Sequence, residues 1–158
     1  MKRHLLTIVT VLAVALPAVR LLGQAGDPVV GTWVLNLSKS KFSPGPGPKS
    51  ETRTYVVAGQ EIKASSKGVD ADGKPTAAAW TVNYDGKDRP QTGDPNVDTL
   101  SLKRVDAFTT ESTEKKAGKV VVTGTRVISR DGKLMTITVK GTTAKGQTFN
   151  DVMVYDKQ

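Results

Sequence analysis

From residue 31 onward, apolar and polar residues alternate with period two, and nearly every alternating run ends at a short glycine turn. A period of two lines one face of a β-strand, whereas an amphipathic helix needs a period near 3.6. No stretch after the first 25 residues carries the helical period. The runs cover 31–37, 52–57, 61–69, 78–84, 97–104, 108–115, 119–129, 134–140 and 149–156. Trp33, Leu35 and Leu37 share one face of the first run. Tyr55 and Val57, then Ile62 and Ala64, and then Trp80, Val82 and Tyr84, align in the same way. Leu100 with Leu102, Met135 with Ile137 and Val139, and Met153 with Tyr155 continue the pattern. Valine, threonine and tyrosine, which fill these runs, suit a pleated surface.

The punctuation supports the same reading. Asp72-Gly73, Asp85-Gly86, Ala117-Gly118, Asp131-Gly132 and Lys145-Gly146 each sit between two runs. Glycine tolerates the positive φ that tight hairpins require, and Asp-Gly favours the turns whose twist matches the strands. Successive hairpins make a meander, and closure removes the two edges that a meander leaves exposed. The expected fold is therefore all-β, an antiparallel up-and-down barrel of about 8–10 strands, with a two-sheet sandwich as the alternative. Two segments break the rhythm. Residues 38–50 contain Ser43-Pro44-Gly45-Pro46-Gly47-Pro48 and read as a surface loop long enough to cross a barrel mouth. Residues 87–96, with Pro90, Gly93 and Pro95, read as a second irregular stretch.

The N-terminus has the layout of an export signal. Met1-Lys2-Arg3-His4 is positive, residues 5–16 are almost wholly apolar, and Gly23-Gln24-Ala25 offers a small-x-small cleavage site. Cleavage after Ala25 is expected, with Ala18 as the alternative, leaving residues 26–158 as one domain in the periplasm or outside the cell. The apolar run is short for a membrane span, which needs roughly 20 residues. Pro17 and Arg20 interrupt it, so no span is expected after removal of the leader.

The chain has no cysteine, and its single histidine, His4, lies in the leader. Thiol nucleophiles, imidazole bases, lipid attachment at a cysteine and His or Cys metal sites are thereby excluded from the mature domain. The core must hold the fold without disulfides. The formal charge is +8, but Lys2, Arg3 and Arg20 belong to the leader, which leaves +5 on residues 26–158. That charge is dispersed and not interleaved with aromatics, so nucleic acid is not an expected partner.

Gly31-Thr32-Trp33 at the start of the first strand resembles the calycin group, the lipocalins and fatty-acid-binding proteins. The ending Val154-Tyr155-Asp156-Lys157-Gln158 is similar to the Val-Tyr-Glu-Lys type of the fatty-acid-binding branch. Residues 31–42 with their Pro-Gly tail also resemble small secreted bacterial proteins. The resemblance implies a closed barrel whose end is plugged by Gly31 and Trp33. Its ligand chemistry does not carry over residue by residue. Fatty-acid-binding proteins insert a helix pair where this chain has residues 38–50, and they hold a carboxylate with an arginine and a tyrosine near the end. The last strand here has Tyr155 and no arginine.

The chemistry that remains points to binding and away from catalysis. Asp70-x-Asp72-Gly73 resembles the opening of a calcium loop, but its later ligands are missing and a hairpin turn explains it; no metal or cofactor is expected. Glu111 and Glu114 are an odd number of residues apart and fall on opposite strand faces, which separates them as an acid–base pair. No activated serine is available. The aromatics could all be core. Alternatively Tyr55, Trp80, Tyr84 and Tyr155 line a cavity for a small apolar or amphipathic ligand, with small inward residues Ala64, Ala78 and Gly124 leaving room. Arg126, in phase with Val122 and Ile128, is the candidate to pair with an acidic head group or to stack over Trp33. The expected function is an exported, non-enzymatic ligand-binding barrel; the alternative is a solid cell-envelope structural or interaction module.

Overall fold

The computed structural model describes residues 26–158, so the leader expected at 1–25 lies outside the described residues. The domain is a closed antiparallel barrel of ten strands. In chain order these are β1 (Gly31–Leu35), β2 (Ser50–Ala58), β3 (Glu61–Val69), β4 (Pro75–Val82), β5 (Arg89–Thr92), β6 (Thr99–Arg104), β7 (Thr109–Lys116), β8 (Lys119–Ile128), β9 (Leu134–Thr142) and β10 (Thr148–Lys157). Each strand pairs with its sequence neighbours, and β1 pairs with β10 through Trp33↔Lys157, Val34↔Asp156 and Leu35↔Tyr155. That last ladder removes both edges and separates the barrel from a sandwich.

The two ends of the barrel differ. At the end holding the start of β1 and the close of β10, the interior is packed by Val29, Trp33, Ile62, Val82, Ile128 and Met135, all at or below 3% exposure. Trp33 is fully buried, and its indole N–H donates to the Val29 carbonyl at 2.7 Å. Residues 27–30 thus fold under the barrel as a floor. Gly31 sits at φ +132°, and a Cβ there would come within 2.9 Å of the Lys157 stem. The missing side chain lets Lys157 lie over the Trp33 ring, with Nζ 5.0 Å from its centroid. Asp27 secures the same floor by accepting from the Val29 amide at 3.0 Å and pairing with Arg104.

Two sequence expectations change. The first strand ends at Leu35, not Leu37, because a short 3-10 turn over Leu37–Lys39 follows, capped by the Asn36 side chain. Leu37 is consequently 47% exposed. The chain then rejoins β10: the backbones of Lys41 and Val152 exchange two hydrogen bonds of 2.8 Å, and Asn150 N–H donates to the Ser43 carbonyl at 2.7 Å. Residues 41–43 are therefore tied along β10, and no residue of 38–50 lines the open cavity.

The second change is β5, a strand inside the stretch read as irregular. It pairs with β4 only through Ala79↔Thr92 and Trp80↔Gln91, and with β6 only through Arg89↔Leu100 and Pro90↔Thr99. A strand this short accommodates a proline that a long ladder would reject. Arg89 anchors it from the side, with Glu61 at 3.3 Å and Asp85 at 3.1 Å. Gly93 at its end has φ +91°, and a Cβ would lie 2.1 Å from the Ala77 carbonyl oxygen. Gly93→Ala should therefore destabilise the domain by about 1–3 kcal/mol through combined strain and backbone clash. An unchanged urea midpoint would show that β5 is not held this closely against β4.

Candidate functional site: a polar cavity in the open half of the barrel

Above the packed floor the interior is hollow, with a cavity of about 490 Å³. That size lies within the range that encloses one small organic molecule. Its walls follow strand parity. Residues 51, 53 and 55 of β2 all face inward, as do 112 and 114 of β7 and 137 and 139 of β9. The rim is formed by the β5–β6 connection (Asp94, Pro95, Asn96), Lys116 and the β9–β10 turn (Thr142, Thr143, Ala144).

Of the residues singled out by sequence, Tyr55, Trp80 and Arg126 line the cavity. Tyr55 and Trp80 meet edge to face, with ring centroids 6.2 Å apart. Tyr84 and Tyr155 do not line it; each stands behind an arginine. Tyr84 Oη accepts from Arg126 Nη2 at 3.1 Å, while the Arg104 guanidinium covers the Tyr84 ring at 3.9 Å. Burial pushes the Tyr84 hydroxyl up to about 12, against the opposing pull of Arg126, so it stays a neutral partner. Tyr155 is fully buried and donates to Glu51 Oε2; burial holds its phenol far above the ordinary range.

Arg126 does not stack on Trp33; Lys157 occupies that position. Instead it reaches into the cavity between Tyr55 and Tyr84, 5.4 Å and 5.9 Å from their centroids, and also donates to Thr110 Oγ1 at 3.3 Å. Among the described residues, it has no carboxylate partner. Gly124 also departs from expectation. A Cβ there would approach Ser112 Oγ at 2.8 Å and Val139 Cγ1 at 2.9 Å, so this glycine admits close packing and does not leave space. Ala64 is buried in the hydrophobic core and does not line the cavity, whereas Ala78 does.

Glu51 and Arg53 escaped the sequence reading, and Glu114 was weighed there only as half of a carboxylate pair. Arg53 lies between Trp80 and Tyr155, 5.9 Å and 5.2 Å from their centroids, and its Nε donates to Glu51 Oε1 at 3.1 Å. Burial works against its charge, yet Glu51, Tyr155 and Tyr55 outweigh that and hold its proton more tightly than water does. Glu51 and Arg53 share parity with Tyr55, so period two applied one step further would have placed both inside. Glu114 also lines the cavity while Glu111 is exposed, in keeping with their odd spacing. Burial raises the Glu114 carboxyl, with Arg53 opposing and Asp94 adding to the rise. At the turn 70–74, Asp70 Oδ1 accepts from Lys74 N–H at 2.8 Å, the hairpin geometry anticipated for it. Among the described residues, no group of three or more His, Cys, Asp or Glu side chains could hold a metal ion.

A closed ten-strand meander with a tryptophan floor and one hollow half defines an up-and-down β-barrel with an internal cavity. Among solved structures the chain is similar to Rv2717c from M. tuberculosis, with 13% identity and a TM-score of 0.57 over 85% of this chain and 96% of that one. This likeness extends to the fold alone. It is also similar to the zebrafish ileal bile acid-binding protein solved with cholic acid, with 12% identity and a TM-score of 0.48 over 83% and 99% of the two chains. That match is too loose to bear on the chemistry of the site. No family model and no curated protein matches the sequence.

Proposed function

We propose that this protein is an exported, non-enzymatic barrel that carries one small amphipathic molecule in its interior, with an anionic or acceptor-rich group of the ligand against Arg126. The observation that carries the reading is the state of Arg126. Its guanidinium faces a cavity of about 490 Å³ and meets only neutral hydroxyls and aromatic rings. A charge withdrawn from water is costly until an opposite charge compensates it, and a ligand supplies that charge. The apolar walls, including Leu100, Leu102, Ile137 and Val139, would receive the rest of the molecule.

The non-catalytic reading is supported by residues 26–158 containing no histidine or cysteine, and by Glu51 being engaged by Arg53 and Tyr155. Export to the periplasm or the medium rests on the leader in residues 1–25. The hollow interior counts against a solid structural module.

Native mass spectrometry of protein purified from its own host is expected to show one small molecule per chain. A fluorescent fatty-acid probe should enter the emptied protein with one-to-one stoichiometry. A bare mass together with no probe uptake would overturn the reading.

A further inference from the structure

The cavity holds more charge than Arg126, and its distribution narrows the class of ligand. Arg53 and Glu51 compensate each other at 3.1 Å, with side chains 20% and 16% exposed. That pair needs no partner from outside. Two charges are left over within the walls, Arg126 and Glu114. Glu114 makes no hydrogen bond or ion pair among the described residues. Its cross-strand neighbours are Leu100 on β6 and Val122 on β8, which offer no side-chain donor. The cation that acts on it is Arg53, which is already bonded to Glu51, so Glu114 is left without a hydrogen-bonding partner of its own.

The register fixes how far apart these groups are rooted. Arg126 lies opposite Thr110, and Glu114 is four residues further along β7 toward the rim. At about 3.3 Å per strand residue, their attachment points are ~13 Å apart along the wall. Ser112 and Gly124 occupy the intervening step.

Resting on the ligand-binding reading above, we infer that the cavity takes a dipolar molecule: an oxyanion at Arg126, an apolar middle, and a protonated amine at Glu114 near the rim. A simple monoanion would satisfy Arg126 and leave Glu114 unpaired. A molecule with opposite charges at its two ends satisfies both and adds no net charge to the interior. The Arg53–Glu51 pair on the β2 wall stays intact in either case. Lys116 and Asp94 at the rim carry opposite signs, so neither end of such a ligand is repelled there by a one-signed ring.

The test uses three probes of equal chain length, undecanoate, undecylamine and ω-aminoundecanoate, titrated calorimetrically into the wild-type protein and Glu114→Gln. On the wild type, ω-aminoundecanoate should bind about tenfold tighter than undecanoate, as expected for one added charge-assisted contact. Glu114→Gln should remove that advantage and leave undecanoate binding unchanged or improved. Undecanoate that binds while the terminal amine adds nothing, or an advantage that survives Glu114→Gln, overturns this inference and leaves the ligand-binding reading standing. If no probe binds and fluorescent fatty acids are also refused, the ligand-binding reading itself falls. The comparison on the wild type needs no variant, so a folding defect in Glu114→Gln could not mask the result.

Discussion

Replacing Trp33 with alanine should cost the domain about 3–5 kcal/mol, the range for removing a fully buried aromatic side chain from a core. The loss has three sources at one position. The indole fills the floor among Val29, Ile62, Val82, Ile128 and Met135, and a cavity of its size cannot close around a rigid barrel. The Val29 carbonyl loses its donor. Lys157 loses the ring under its ammonium group and is left against Pro28. Urea denaturation followed by far-ultraviolet circular dichroism reads the change. Trp33→Phe separates the contributions, since it keeps most of the packing and strands only the carbonyl; about 1–3 kcal/mol is expected for it. A Trp33→Ala loss below about 1 kcal/mol would mean that the indole does not seal the barrel.

Arg126→Met should weaken binding of undecanoate by about 2 kcal/mol or more, roughly 30-fold, as for truncation of one partner in a desolvated charge pair. The same substitution should leave the unliganded protein as stable as before or more stable, because it removes a guanidinium that no carboxylate compensates and keeps an apolar stem of similar length. Loss of affinity without loss of stability distinguishes a ligand contact from a structural one. Undecanol, which carries no charge, should bind both proteins alike. If Arg126→Met retains undecanoate affinity, the anion site is elsewhere in the cavity. Arg53 is the control: it already has Glu51, and Arg53→Met leaves that acid with Tyr155 alone, so this variant should be destabilised where Arg126→Met is not.

Much of the barrel is legible in the sequence because period two and Asp-Gly turns are local instructions. Runs such as 134–140 and the turn 130–133 state their conformation within a few residues. β5 was hidden because its four residues contain a proline and are followed by a glycine in positive φ. Its strand character is imposed by β4 and β6 on either side. Leu37 matched the inward phase of Trp33 and Leu35, but the 3-10 turn that lets the chain rejoin β10 breaks that phase. Arg53 and Glu114 were legible by parity, yet a charged residue in phase with apolar ones is ordinarily discounted, since burying charge is costly.

The amino-acid order determined most of the strands, the hairpins and the tryptophan at the first strand, since each depends on neighbours a few residues apart, whereas closure rests on the β1–β10 ladder between the two ends of the domain. Which inward residues fill the interior and which face empty space was decided only when ten strands closed at one radius. The chemistry inside is equally non-local. Glu51 meets Tyr155 across 104 positions and Arg126 meets Tyr84 across 42. The pairing of some charges and the isolation of others follows from the register of the closed barrel, which no single segment encodes.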